Sequence, residues 1–204
     1  MVAVDFLSFG VIIPLLPLYA DSLGADPVVV GLLVASYSLA QFVFSPVWGK
    51  VSDRIGRRPV LLLTIAGSAL GSLVLALAAS VTMLFVGRII DGVSGASVAV
   101  ARATVADTAD PADRARLMGL LGAAVGVGFV LGPVIGGVAA LGGPSLPFFV
   151  AFAISSINLV VASLRVPETI RVERPVVETE GMAFRGPVRR LIALAFVGMI
   201  AFSA

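Results

Sequence analysis

Apolar residues fill most of this chain in long runs, and the polar residues collect between those runs. Six runs are long enough to cross a bilayer, which requires about 20 mainly apolar residues per helix. They cover residues 2–20, 28–48, 60–79, 82–104, 117–139 and 146–164. A seventh apolar run, 191–204, is cut off at the last residue. The pattern predicts an all-α membrane protein: a six-helix transmembrane bundle plus the start of a seventh helix.

The polar segment after the sixth run divides the chain. Residues 166–190 carry charges of both signs and three prolines, a composition that is typical of a linker. We therefore expect a transmembrane bundle over 1–165, a cytoplasmic linker over 166–190 and a truncated seventh transmembrane helix over 191–204. Because the last run is too short to span a membrane, we expect the chain to be a fragment of a longer protein.

Composition excludes several classes of function. The chain is 59% hydrophobic and 13% charged, with a mean hydropathy of +1.10, so a soluble domain could not bury its apolar surface. It contains no cysteine and no histidine, which excludes disulfides, thiol chemistry and metal sites built from these ligands. We expect no cofactor, no metal and no enzymatic activity, because we find neither a phosphate-binding loop nor a nucleophile–base pair.

The distribution of basic residues predicts an orientation. The loops at 21–27, 80–81 and 140–145 hold no lysine or arginine, whereas the alternate loops are basic. The positive-inside rule then places the basic loops and the amino terminus in the cytoplasm, with the protein in the plasma (inner) membrane and the lipid bilayer as its surroundings. The same alternation argues against nucleic acid as a partner, although the sequence pI is about 9.7.

The segment 49–58, between the second and third runs, combines charges with glycine. Its glycines allow a tight turn and close helix approach, and its single acid can meet a helix amino terminus or an arginine. The alternative is that these charges only fix topology. We expect a cytoplasmic gate formed by Gly49, Asp53, Arg54, Gly56, Arg57 and Arg58.

Three ionisable residues fall inside predicted spans: Asp5, Arg88 and Asp91. A carboxyl group in the membrane is costly and is a functional candidate, and removal from water favours its protonated form. Arg88 stays charged and has to face a cavity or a carboxylate; Asp91 lies on the same helical face. We expect Asp5 to bind the proton and Arg88 to tune it, with Asp91 as the rival. A headgroup position for Asp5 and a self-satisfied Arg88–Asp91 pair are the structural alternatives.

Two further sets of residues are candidates for packing and for substrate contact. The glycine-rich end of the fifth run presents a nearly bare backbone face, which lets membrane helices pack closely; we expect it to contact the other half of the protein. Its residues are Gly128, Gly132, Pro133, Gly136 and Gly137. Tyr37, Gln41 and Asn158 are polar residues in apolar spans, and they either line a substrate cavity or bond between helices.

Together these motifs resemble the drug/proton antiporter branch of the major facilitator superfamily, and within it the tetracycline/proton antiporters. The segment 49–58 resembles the signature between helices two and three of that branch, and 126–137 resembles its signature in helix five. Further likeness lies in 37–60, in 87–95 and in 106–114. Asp91 departs from the pattern, because the family usually has an uncharged residue there.

The resemblance implies half of a 12-helix facilitator fold, with the missing carboxyl-terminal half as a partner. It also implies proton-driven export by alternating access, with Asp5, Gln41, Asp53 and Arg88 at functional positions. The function expected is a secondary transporter that exports small amphipathic molecules or drugs, as in antibiotic resistance. A metabolite or sugar carrier of the same fold is an alternative, and so is a non-transporting membrane scaffold or receptor.

Overall fold

The computed structural model describes residues 1–166, apart from the side chain of Thr108. The described part consists of helices and short connections. The helices are α1 (Val2–Ser22), α2 (Pro27–Ile55), α3 (Arg57–Ala76), α4 (Val81–Ser94), α5 (Ser97–Thr108), α6 (Arg114–Ala140) and α7 (Leu146–Arg165). Six segments of this part are long and apolar enough to cross a membrane, which confirms the predicted six-helix bundle. The seventh apolar run and nearly all of the predicted linker lie outside the described residues.

The core forms where α1 packs on α6 and α7 and where α3 packs on α4 and α7. Large apolar side chains from several helices are fully buried there, namely Val11, Ile12, Leu16, Leu33, Leu75, Leu84 and Phe148. The spans formed by α2 and α6 bury a much smaller share of their residues than the other four spans do. The bundle therefore leaves most of the apolar surface of α2 and α6 uncovered.

The predicted fourth span is two helices rather than one. α4 ends at Ser94 and α5 begins at Ser97. Between them the N–H of Gly95 donates to the carbonyl of Gly92 at 3.1 Å, and the N–H of Ala96 donates to the carbonyl of Ser94 at 2.8 Å. Both bonds replace the i to i−4 bonds of an α-helix, so the span is broken at residues 95 and 96.

The predicted loop at 49–58 is wrong in its extent. α2 continues to Ile55 and α3 begins at Arg57, so Gly56 alone joins them, with a φ of 103° that favours glycine. The polar residues after the apolar run are compatible with a helix, so the helix extends beyond that run. Gly49 lies inside α2, where an added Cβ would meet no atom within 4 Å; it makes neither the turn nor a close helix contact.

α6 packs on α1 through glycines. Gly128, Gly132 and Gly136 are buried, and a Cβ added at Gly132 would lie 2.5 Å from Gly10 Cα and 2.8 Å from Val11 N. Backbone atoms of the two helices therefore touch without intervening side chains. The expectation that this face contacts the other half of the protein is wrong, because α1 of the same bundle covers it.

Pro133 and Gly137 do not belong to this packing face. Both are exposed, and a Cβ added at Gly137 would meet no atom within 4 Å. Each follows a buried glycine by one residue, which turns it by about 100° around the helix axis. Their assignment to the packing face is therefore incorrect.

Candidate functional site

A buried cluster of ionisable and aromatic side chains joins α4 to α2. Arg88 is 1% exposed and Asp91 is 5% exposed, and Arg88 Nη1 lies 3.5 Å from Asp91 Oδ2. The guanidinium carbon lies 4.3 Å from the centroid of the Tyr37 ring, which is within the range of a cation–π interaction. α4 brings its two charges together by their three-residue spacing, and α2 supplies the ring.

The Arg88–Asp91 pair is close but incompletely hydrogen-bonded. Arg88 Nε, Arg88 Nη1 and Asp91 Oδ2 are buried and have no hydrogen-bond partner among residues 1–166. A buried polar atom without a partner costs free energy, so the two side chains alone do not satisfy each other's hydrogen-bonding groups.

Asp5 meets the fourth span at its break. The hydroxyl of Ser97, the first residue of α5, donates a short hydrogen bond to Asp5 Oδ2. Ser97 is buried and lies 16 residues after Val81 and 10 before Asp107, in the interior of the span Val81–Asp107. This contact argues against a headgroup position for Asp5.

A small polar cavity connects the two carboxyl groups. It has a volume of about 30 Å³, which is enough for a water molecule. Its polar lining comes from six helices and consists of Asp5, Ser8, Tyr37, Gln41, Ser68, Ser72, Asp91, Ser97 and Ser155. Both candidate proton sites therefore line one small cavity.

A larger cavity of about 450 Å³ lies at the end of the bundle where α1 begins. Its lining is mostly apolar but includes Asp5, Arg57, Ser97 and Asn158. Asp5 and Ser97 line both cavities. The three predicted substrate-cavity residues are thus divided, since Tyr37 and Gln41 line the small cavity and Asn158 lines the large one.

Side chains of α2 bind the carbonyl groups that the break exposes. Gln41 Nε2 donates to the carbonyl of Gly95 at 2.6 Å, and Trp48 Nε1 donates to the carbonyl of Val93 at 2.6 Å. Gln41 Nε2 also donates to the Tyr37 hydroxyl at 3.2 Å. Gln41 therefore bonds between helices, one of the two roles that the sequence allowed.

The second ionic cluster centres on Arg57, at the start of α3. Its Nη2 lies 2.7 Å from Asp53 Oδ1 and 2.8 Å from Asp107 Oδ2, and its Nη1 donates to the hydroxyl of Ser52. The side chain of Arg57 is 17% exposed, whereas that of Asp53 is 62% exposed. We call Asp53, Arg57 and Asp107 the Arg57 network; it joins the ends of α2, α3 and α5.

The other predicted gate residues are not in the Arg57 network. Arg58 Nη2 donates to the carbonyl of Ser163 at 2.8 Å, which ties α3 to the end of α7. Arg54 is exposed. Gly56 supplies the turn that sets Arg57 at the start of α3.

Sequence reasoning missed two contact residues. Asp107 lies in the segment 106–114, which carried part of the family resemblance. An acid at the border of one predicted basic loop can pair with an arginine of the neighbouring basic loop, so its position was a usable signal. Ser97 gave no signal, because a single serine in an apolar span is ordinary. Only the break before it brings its hydroxyl to Asp5.

Comparison with known proteins agrees with the motifs. The Major Facilitator Superfamily profile matches residues 1–204. The chain is 40% identical over 200 residues to the tetracycline resistance protein, class D, of Salmonella ordonez, covering 95% of this chain and 51% of that protein. It is 34% identical over 171 residues to multidrug resistance protein 2 of Bacillus subtilis (strain 168), covering 83% of this chain and 43% of that protein.

Solved structures agree as well. The crystal structure of the human organic anion transporter MFSD10 (TETRAN) matches with a TM-score of 0.74 and 30% sequence identity, covering 83% of this chain and 46% of that one. The chain spans about half the length of the curated relatives it matches. With a profile match over all 204 residues and six segments within residues 1–166 that could span a membrane, the chain belongs to the major facilitator superfamily.

Proposed function

We propose that this chain is the amino-terminal half of a proton-coupled transporter that exports small amphipathic molecules or drugs by alternating access. The observation that carries the proposal is the small cavity that Asp5 and Asp91 share, beside the buried guanidinium of Arg88. The substrate class follows the names of the relatives, which are tetracycline and multidrug resistance proteins.

The proposed proton role of Asp5 and Asp91 rests on the free energy that it costs to keep charged side chains inside the bundle. Ionisable groups within an apolar bundle are expensive and are usually retained for function. Here Ser97 donates to Asp5, and Asp91 has a hydrogen bond with Ser68 and lies beside the incompletely bonded guanidinium of Arg88. Taking up or losing a proton changes both sets of attractions and so changes the relative free energy of two helix arrangements.

The Arg57 network is the proposed gate, at the cytoplasmic end of the bundle. Basic residues collect at this end, in the last turns of α2 and the first turns of α3 and α6, which supports a cytoplasmic amino terminus in the plasma (inner) membrane. The proposed partners are protons, the substrate, the lipid bilayer and the carboxyl-terminal half.

Drug uptake into inverted membrane vesicles tests the function. The panel contains tetracycline, a lipophilic cationic dye and a sugar, and a pH gradient is imposed with the interior acidic. We expect gradient-driven accumulation of a drug or the dye, abolished by a protonophore and absent from vesicles without the protein. Uptake of the sugar alone would favour a metabolite carrier, and no uptake of any compound would favour a scaffold or receptor.

We predict that Asp53→Asn slows transport several-fold while membrane insertion and thermal stability change little. Asp53 is largely exposed, and exposed ion pairs contribute only about 0–1 kcal/mol to stability. A contact that exists in one of two states still alters their populations. Initial uptake rates at equal protein level provide the measurement. Asp110→Asn, the same change at an exposed acid between α5 and α6, is the control; equal rates in the two variants would contradict a gating role.

A further inference from the structure

We infer that α5 is the coupling element between the proton site and the gate, and that Ser97 is the residue that positions Asp5 on it. The inference rests on the proposed function and extends it to a specific helix. α5 is the second half of the fourth span. The sequence predicted that span as one continuous helix, whereas the structure breaks it before α5.

The two ends of α5 contact the two ionic sites. Ser97, its first residue, donates to the carboxyl group of Asp5. Asp107, one residue before its end, accepts from Arg57 at 2.8 Å. Ten residues separate Ser97 and Asp107, which corresponds to about 15 Å along a helix. A single short helix therefore bridges the distance between the acid in the interior and the Arg57 network.

The break separates α5 mechanically from α4. α4 is held by its own contacts, because α2 binds the carbonyl groups of Val93 and Gly95 through Trp48 and Gln41. The residue before α5, Ala96, provides no side-chain cap to the first turn. The amino-terminal end of α5 thus depends on contacts from outside the span, and Ser97 makes a hydrogen bond to α1.

Glycines keep α4 close to α2 at this point. A Cβ added at Gly92 would lie 2.5 Å from the carbonyl oxygen of Tyr37, and one added at Gly95 would lie 2.7 Å from Gln41 Nε2. The α4 side of the break is therefore packed closely on α2, against its backbone at Gly92 and against its side chains at Gly95. We therefore expect a movement at the break to displace α5 and to leave α4 in place.

Protonation of Asp5 weakens the tie to α5. A carboxylate attracts a hydroxyl donor and the amino-terminal end of a helix more strongly than a neutral carboxyl group does. When Asp5 takes up a proton, the start of α5 is less firmly held against α1. A displacement of α5 about the break then moves Asp107 relative to Arg57 and changes the gate.

Other charged groups also face Asp5 and enter the interpretation of any pH response. The amino group of Met1 contributes from the start of α1, Asp91 from α4, Tyr37 from α2 and Arg57 from α3. Among the described residues that line the two cavities, α6 and α7 contribute no ionisable side chain. A test of the inference therefore needs a variant of Asp5 itself as its reference.

Spin-label distances across the gate provide the test. The chain has no cysteine, so Lys50→Cys on α2 and Asp110→Cys just after α5 can be labelled in a cysteine-free version of the complete transporter. Both positions are exposed. Distance distributions are measured in lipid nanodiscs at acidic and at alkaline pH. We expect the distribution to change with pH in the otherwise unmodified protein and to lose that change in Asp5→Asn.

Ser97→Ala is expected to lose most of the pH-dependent change, because it removes the donor to Asp5. Ser97→Thr keeps a hydroxyl and should restore it. Ser94→Ala is the matched control: Ser94 is equally buried on the other side of the break, but its hydroxyl donates to the carbonyl of Ile90 within α4. A merely structural role for Ser97 would alter the distribution equally at both pH values.

The outcomes distinguish a failure of the inference about α5 from a failure of the proposed proton site at Asp5. A full pH response in Ser97→Ala, with the response lost in Asp5→Asn, would overturn the inference and leave the proton site intact. A response that persists in Asp5→Asn would overturn the proton site and the inference with it.

Discussion

Gly132→Val should cause the largest loss of stability of any glycine-to-valine substitution in α6. A Cβ added at Gly132 would lie 2.5 Å from both the Cα and the carbonyl carbon of Gly10, and 2.8 Å from Val11 N. These atoms belong to the backbone, so no side-chain rotation relieves the clash and α1 has to separate from α6. Overpacking a well-packed core costs about 1–3 kcal/mol, occasionally more, and a clash between two backbones belongs at the upper end.

Gly137→Val makes the same chemical change in the same helix without the clash. Gly137 is exposed, and a Cβ added there meets no atom within 4 Å. Thermal unfolding of the complete protein in detergent, followed by the loss of its monodisperse chromatographic peak, compares the two variants. We expect a strong decrease in melting temperature for Gly132→Val and little change for Gly137→Val. Equal melting curves would mean that the contact between α1 and α6 does not hold the bundle together.

The number and type of the spanning helices were predictable, because the length of an apolar run determines whether a helix can cross a membrane. Helix ends were less predictable. α2 extends seven residues past the predicted end at 48, to Ile55, because a helix stops where its backbone geometry changes rather than where its side chains become polar. The positive φ of Gly56 is that change.

The glycine face of α6 shows what the spacing of residues in a sequence can predict and what it cannot. The four-residue spacing of Gly128, Gly132 and Gly136 identifies residues that share one helix face, and these three are buried. Spacing says nothing about the neighbour of that face. The contact with Gly10 depends on how α1 crosses α6, which is a tertiary property.

In the candidate site, too, one contact could be predicted from spacing and another could not. The pairing of Arg88 with Asp91 follows from their three-residue spacing on one helix. The contact of Asp5 with Ser97 joins residues 92 positions apart and requires the break at 95 and 96. Glycine at 95 is compatible with a break but does not require one, so the sequence predicted the acid without its donor.

Asp5→Asn is expected to uncouple transport from the pH gradient. Asparagine has nearly the shape of aspartic acid and can still accept a hydrogen bond from Ser97, but it cannot bind and release a proton. Substrate binding should persist, while gradient-driven accumulation in inverted vesicles falls to the level seen with a protonophore. Because the substitution introduces no charge and leaves Arg88 paired with Asp91, thermal stability should change little.

Asp91→Asn should give the opposite pattern, and the comparison decides which acid carries the proton. Loss of Asp91 leaves the guanidinium of Arg88 buried without its counter-charge, and breaking a buried ion pair in this way costs about 3–5 kcal/mol. We therefore expect reduced folded yield and a lower melting temperature, which Arg88→Gln in the same protein should partly restore by removing the orphaned charge. The fraction of Asp91→Asn that folds should still accumulate drug in response to the gradient. If Asp5→Asn keeps full gradient dependence while folded Asp91→Asn loses it, the proton site belongs to α4, and Asp5 serves only to hold Ser97.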